Sequence, residues 1–256
     1  MRDSLLEKRA RKISHVTKHG QDFIVTSTRS SIKQIYDVIS SFDDMKKELV
    51  RSIGFGGIMS FPSLRQINRR FTAWLMRRID PLSQTLLIDS TKRIRFDKED
   101  VQKIFGIPCH GKSVADCHIP HKNVVATVMQ LYQGTEAKDN RSIKAAQEVL
   151  ERQYEAKMTE VEKDAFKVAF IIYIMSTLLS PGSKYDYVSM DYWHALVDPA
   201  SIKDFDWSEY VIKKLFQAVV KLKTELSNGN KVTNITGCSI FLQVTLLNFG
   251  LTLYTM

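Results

Sequence analysis

The amino-acid sequence predicts a mainly α-helical globular domain of several helices, with one small β-hairpin near residues 85–96. Apolar side chains recur at intervals of three and four residues along most of the chain, which is the period of an amphipathic helix. Capping residues precede several of these stretches, and Gly or Pro follows them. The 256 residues are 44% apolar and 25% charged, so the composition is that of an ordinary globular protein with a hydrophobic core.

The first predicted helix spans residues 43–53. Apolar residues recur at every fourth position from Met45 through Leu49 to Ile53, and acidic residues open the segment, where the helix dipole favours them. The glycine-rich stretch 54–57 ends this helix, and we expect a glycine there to adopt a positive φ.

The second predicted helix spans residues 63–79. Ser63 and Gln66 have the spacing of a capping box, which predicts a helix start at Ser63. We expect Phe71 and Trp74 to belong to the core rather than to a base-stacking surface. The apolar residues that share the predicted buried face are Leu64, Ile67, Phe71, Trp74, Leu75 and Ile79.

Residues 85–89 and 93–96 are short β-compatible runs on either side of a polar turn, which predicts the hairpin. Asp97, Thr159 and Asp206 are candidate N-caps of helices further along the chain. Periodicity and these caps predict helices over residues 97–105, 123–132, 142–154, 159–179, 191–196 and 206–226, with a last helix from about residue 237.

The predicted domain organisation is a basic N-terminal extension, residues 1–42, followed by one helical region, residues 43–256. The segment 134–142 mixes both charges with a glycine, which makes it the best candidate for a boundary between two subdomains. The chain ends within its last apolar stretch, so the sequence also predicts a truncated C-terminus.

Neither a secretory signal nor a membrane span is predicted. The apolar run from residue 168 is about 18 Å long as a helix, shorter than the roughly 30 Å hydrocarbon core. Residues 232–256 carry no charge but contain Asn, Gln and Thr, so a buried helix is preferred to a membrane anchor. The three cysteines are an odd number, which favours thiols in a reducing compartment.

The positive charge is concentrated near the N-terminus. Residues 1–80 hold 16 Lys and Arg against 8 Asp and Glu, so they carry eight of the nine excess positive charges. Residues 51–79 hold six arginines and no acid, which indicates an anionic partner or a solvated helix face. The predicted anion-contacting residues are Arg65, Arg69, Arg70, Arg77 and Arg78.

No catalytic constellation and no cofactor-binding motif is found in the sequence. Cys109, Cys117 and His121 are weak candidates for a zinc site, because thiolate and imidazole are preferred zinc ligands although the spacing is not a standard one. The glycine-rich stretch 54–57 matches neither a P-loop nor a dinucleotide fingerprint. The basic run 8–12 has the composition of a short nuclear-import signal.

Several phrases, in order, resemble the aminotransferase-like plant mobile domain family, whose members are related to plant transposable elements. The resemblance covers about residues 45–247. The matching phrases are IGFGG at 53–57, FTAWLM at 71–76, ID at 79–80, DV at 100–101, FGIPC at 105–109, LLSP at 178–181, DY at 186–187, DYW at 191–193, DWSEYV at 206–211, GC at 237–238 and FLQ at 241–243.

The resemblance implies a nuclear role in transposon biology, genome silencing or chromatin, without establishing transaminase activity. In some members of that family a SUMO-type cysteine protease domain follows downstream. The family pattern near Cys109 lacks counterparts of Cys117 and His121, which weakens the zinc hypothesis. After Gln243 the chain departs from the family pattern.

The sequence therefore predicts a non-enzymatic nuclear module that contacts nucleic acid or a chromatin-associated protein through its arginine-rich segment. The cytoplasm is the alternative location. The alternative functions are the non-catalytic N-terminal part of a SUMO-type protease protein and a non-functional remnant. No small-molecule substrate is predicted.

Overall fold

The computed structural model describes residues 24–27, 32–60, 68–114, 122–133, 142–154, 157–183 and 186–248 of the chain. The structure confirms a mainly α-helical fold with a small antiparallel sheet. The first half contains β1 (Ile24–Ser27), α1 (Ile32–Ser40), α2 (Asp44–Ser52), a 3₁₀ turn (Gly56–Ser60), α3 (Arg69–Arg78), β2 (Ile79–Asp80), β3 (Thr85–Leu87), β4 (Arg93–Arg95) and α4 (Lys98–Phe105).

The second half continues with β5 (Lys112–Ser113), α5 (Lys122–Gln133), α6 (Ile143–Glu151), α7 (Glu160–Ile174), a π-helical turn (Met175–Leu179), short 3₁₀ turns (Trp193–Leu196 and Ile202–Asp204), β6 (Phe205–Asp206), α8 (Trp207–Ser227), β7 (Val232–Asn234) and α9 (Ser239–Asn248).

Helix α7 is the centre of the core. Its first turn is polar and begins with the predicted capping box of Thr159 and Glu162. From Phe166 onward almost every side chain is buried, because α2, α5 and α6 pack around the helix. A helix that is apolar on all sides requires such neighbours. Within the described ranges, no helix combines the length and the apolarity that a membrane span needs.

The predicted hairpin is confirmed, and a third strand extends it. Strands β3 and β4 pair antiparallel, with Leu86 opposite Ile94. Strand β2 pairs with the other edge of β3 and follows directly from α3. The inward residues Leu86 and Ile94 are buried while their neighbours on both strands are more exposed, which is the alternation expected of a sheet with one solvated face.

Helices α4 and α8 are joined by a part-buried ion pair. Asp97 and Asp100 form a capping box at the start of α4, and Gly106 ends the helix with φ +58°. Asp206 caps α8 by accepting from the backbone N–H of Glu209 at 2.8 Å. The same carboxylate accepts from Lys98 Nζ at 2.6 Å, so one buried acid serves both as a cap and as an ion-pair partner.

Helix α3 begins later than the sequence predicted. Asn68 has extended backbone angles and its Oδ1 accepts from the N–H of Phe71 at 3.0 Å. An asparagine in that geometry is a strong N-cap, so a single helix over residues 63–79 is wrong at its N-terminal end. Residues 61–67, which include Ser63 and Gln66, lie outside the described residues.

The predicted boundary at residue 42 falls inside the packed fold. Helix α1 lies within the proposed N-terminal extension, yet Ile32, Ile35 and Val38 are buried and α1 packs against α6. The chain around the predicted break at 134–142 is described only at Ser142. Helices α5 and α6, on either side of it, pack against each other and against α7, so both belong to one packed unit.

Candidate nucleic-acid interface

Helix α3 is held at both ends by residues distant in sequence. At its N-terminus, Gln243 Nε2 from α9 donates to the carbonyl oxygen of Asn68 at 2.9 Å and to Thr72 Oγ1 at 2.7 Å. At its C-terminus, Lys223 Nζ from α8 donates to the carbonyl oxygen of Ile79 at 2.5 Å. These contacts tie α3 to α8 and α9 and fix the rotation of α3 in the fold.

The buried face of α3 matches the predicted one at Leu75 and Ile79 and differs from it elsewhere. Thr72, Ala73, Leu75 and Met76 are buried, because α3 packs against β1, β3, α8 and α9. Phe71 and Trp74 are only half-buried at the edge of that packing. The prediction that Phe71 and Trp74 belong to the core is met only in part, because both rings pack against the core but keep some exposed surface.

Five residues make up the outward sector of α3. At about 100° per residue, they span roughly 120° of the helix surface. Three are arginines, two are aromatic and none is acidic. The outward sector consists of Arg70, Phe71, Trp74, Arg77 and Arg78.

The aromatic residues and Arg78 form a stacked ladder along the helix. The rings of Phe71 and Trp74 are nearly parallel, with centroids 5.7 Å apart and an interplanar angle of 14°. The guanidinium carbon of Arg78 lies 4.1 Å from the Trp74 ring centroid. Spacings of three and four residues place these side chains one above the other on a helix, so the ladder follows directly from their positions in sequence.

Arg70, Arg77 and Arg78 form no ion pair with any residue that the structure describes. Arg78 Nε is buried and has no hydrogen-bond acceptor in that part of the chain. Arg51, by contrast, donates to Glu48 at 3.1 Å. Arg70 and Arg77 are exposed, whereas Arg78 is half-buried against Trp74.

The remaining predicted anion contacts are placed differently. Arg69 is exposed in the first turn, but its position aligns with buried Ala73 and Met76 rather than with the outward sector. Arg65 lies outside the described residues. The structure thus brings together three of the five predicted arginines, and Phe71 and Trp74 lie beside them. A helical wheel drawn with Thr72 and Met76 facing the core would have placed both aromatic residues at the edge of the buried face.

Of the three weak zinc candidates, Cys109 alone is described. It is buried, and burial raises the pKa of its thiol, which opposes the thiolate form that zinc requires. Cys117 and His121 lie outside the described residues. Among the residues the structure does describe, no group of three or more His, Cys, Asp or Glu could hold a metal ion.

The aspartates of the C-terminal half serve turns, caps and ties between elements. Asp191 accepts from Tyr210 Oη at 2.8 Å and from Ser189 Oγ at 2.6 Å, and it pairs with Lys214. Asp186 accepts from Ser142 Oγ at 2.9 Å. Because these carboxylates are occupied by protein donors, their arrangement is that of structural ties.

No curated protein and no solved structure matches the chain. Residues 28–243 match a family model, and this segment runs from just before α1 to the glutamine that binds the N-terminus of α3. The chain therefore belongs to the family described as Domain of unknown function (DUF8566).

Proposed function

We propose that this domain is a non-enzymatic module that binds nucleic acid through the outward sector of α3. The observation that carries the proposal is the composition of that sector: three arginines without a described acidic partner, next to two half-exposed aromatic rings. Arginine binds phosphate with several donors in a fixed plane. Half-exposed aromatic rings beside such charges are the usual components of a nucleic-acid surface.

A nuclear location is part of the proposal. It is supported by the resemblance to the aminotransferase-like plant mobile domain family and by the basic run at 8–12. A fluorescent fusion of the full chain expressed in plant cells tests it. Exclusion of the fusion from the nucleus would contradict this part of the proposal.

The decisive experiment measures binding to labelled DNA across a salt series for the wild type and an Arg70→Ala/Arg77→Ala variant. Each lost phosphate contact should reduce the slope of log K against log salt by about 0.7 to 0.9. An Arg93→Ala/Arg95→Ala variant is the matched control, because it removes the same charge from exposed positions on β4. We expect a weaker, less salt-dependent interaction for the first variant alone.

Two results would contradict the proposal. Equal losses in both double variants would mean that net charge, and not the α3 surface, determines the affinity. Absence of binding by folded protein at low salt would remove nucleic acid as the partner. Circular dichroism of each variant shows whether the fold is retained.

A further inference from the structure

We infer that the nucleic acid bound by this surface is single-stranded, with an unpaired base stacking on the ladder of Phe71, Trp74 and Arg78. This inference rests on the proposed function and names its ligand class. A salt-dependent arginine contact alone does not distinguish a duplex from a single strand. The ladder does, because planar groups recognise the faces of bases, and a duplex hides those faces within its own stack.

The ladder is preorganised for stacking. The Phe71 ring centroid lies 5.7 Å, and the Arg78 guanidinium carbon 4.1 Å, from the Trp74 ring centroid, so three planar groups are already packed together. Arg78 is held by the indole ring and by no acid in the described part of the chain. A guanidinium plane that stacks on one side can receive a base on the other side, and its remaining N–H groups can donate to a phosphate or a base oxygen.

The two other tryptophans show that the half-exposure of Trp74 is distinctive. Trp193 and Trp207 are both fully buried, and the indole N–H of Trp207 donates to the carbonyl oxygen of Ile202 at 2.7 Å. Trp74 is the tryptophan that meets solvent, next to Arg70 and Arg77. Its fluorescence therefore reports on the proposed surface without interference from a second exposed indole.

The neighbouring arginines complete the surface for a strand. Arg70 and Arg77 are seven residues apart, which places them about 10 Å apart along one line of the helix. They flank Trp74 on the side opposite Phe71 and Arg78. A strand that crosses α3 can thus place its phosphates along the arginine line while a base reaches the ladder.

The test compares an oligothymidine of about 16 nucleotides with its duplex and with heparin, a polyanion without bases. Arg78→Lys is the key variant, because it keeps the charge and removes the planar group. We expect single-strand affinity to fall roughly 5- to 150-fold in Arg78→Lys, which removes the plane that meets the base, and to fall also in Trp74→Leu, which removes the ring that holds that plane, with little change for heparin. We also expect the oligothymidine, and not heparin, to change Trp74 emission.

The outcomes separate this inference from the proposed function. If the duplex binds as tightly as the single strand, or if Arg78→Lys binds the single strand like the wild type, the stacking inference is overturned. The proposed function then stands as long as Arg70→Ala/Arg77→Ala weakens DNA binding. If the folded protein binds neither form of DNA, the proposed function and the stacking inference are both contradicted. Unchanged thermal unfolding of Arg78→Lys ensures that any loss reflects the missing plane.

Discussion

At the scale of single residues, Lys46 shows how this fold uses a buried charge. The side chain is 2% exposed and its Nζ donates to the carbonyl oxygens of Leu150 at 2.8 Å and Arg152 at 2.7 Å. The rings of Phe42 and Tyr154 lie within 6 Å of the ammonium group. Burial lowers the pKa of Lys46, so the ammonium depends on these partners at the C-terminus of α6.

Replacing Lys46 with methionine should therefore destabilise the protein. The substitution preserves most of the buried volume but leaves two carbonyl groups without a donor, which costs about 1–3 kcal/mol. Lys47→Met is the matched control, since Lys47 forms a more exposed pair with Asp44 at 3.6 Å and should cost no more than about 0.5 kcal/mol. Urea unfolding measures both; equal losses would contradict a capping role for Lys46.

The aromatic residues of α3 show where residue-level prediction failed. Apolar periodicity placed Phe71 and Trp74 on one face with Leu75 and Ile79, but only Leu75 and Ile79 are fully buried. The deciding residue was Thr72, which looks polar in sequence but is fully buried and accepts a hydrogen bond from Gln243. That contact joins residues 171 positions apart, so no local pattern could have revealed the rotation of the helix.

At the scale of elements, the 3₁₀ turn and α4 meet through two glycines. A Cβ on Gly57 would lie 2.5 Å from the Cα of Gly106 and closer still to the carbonyl oxygen of Phe105. Gly106 itself ends α4 in the left-handed region. The backbones can approach this closely because neither residue has a side chain.

Gly57→Ala should destabilise the protein by about 3 kcal/mol, since backbone atoms must move to admit the methyl group. Gly182→Ala is the matched control: among the described residues, apart from Gly182 and its two chain neighbours, no heavy atom lies within 4 Å of the added Cβ. That control should be neutral or stabilising by up to about 1 kcal/mol. Thermal unfolding of both variants distinguishes the cases, and a neutral Gly57→Ala would show that the two elements separate readily.

Elements defined by local chemistry were predicted well. The caps at Asp97, Thr159 and Asp206 were confirmed because a cap and its backbone donor lie three residues apart. The parallel pairing of β1 with β7, in which Ile24 lies opposite Val232, was not predicted. Two short runs of few residues give no periodic signal, and their pairing depends on the whole fold bringing them together.

At the scale of the whole molecule, helix α1 decides how much of the chain forms the domain. Ile35 is 4% exposed whereas the adjacent Tyr36 is 44% exposed. Ile35→Ala should cost about 2–4 kcal/mol if α1 belongs to the cooperative unit, and Tyr36→Ala should cost less than about 1 kcal/mol. Urea unfolding followed by circular dichroism measures both. A neutral Ile35→Ala would support the prediction that residues 1–42 are a separate extension.

The pH dependence of the whole fold should include a contribution from His194. Both ring nitrogens of His194 are buried without a hydrogen-bond partner among the described residues, and burial lowers its pKa below the usual 6.5, partly offset by Asp191. Below about pH 6.5 His194 binds a proton more readily in the unfolded chain than in the fold. The contribution of the neutral imidazole to the free energy of unfolding is therefore fully present above about pH 6.5 and is lost as the solution becomes more acidic.

His194→Phe removes this titration while keeping a ring against Phe205, whose centroid lies 5.7 Å away. We expect the free energy of unfolding to fall less between pH values of about 7.5 and about 5 in the variant than in the wild type. An identical fall in both proteins would mean that the buried imidazole accepts its proton as readily in the fold as in the unfolded chain. Acid sensitivity would then have to come from carboxylate ties such as Asp191 with Lys214.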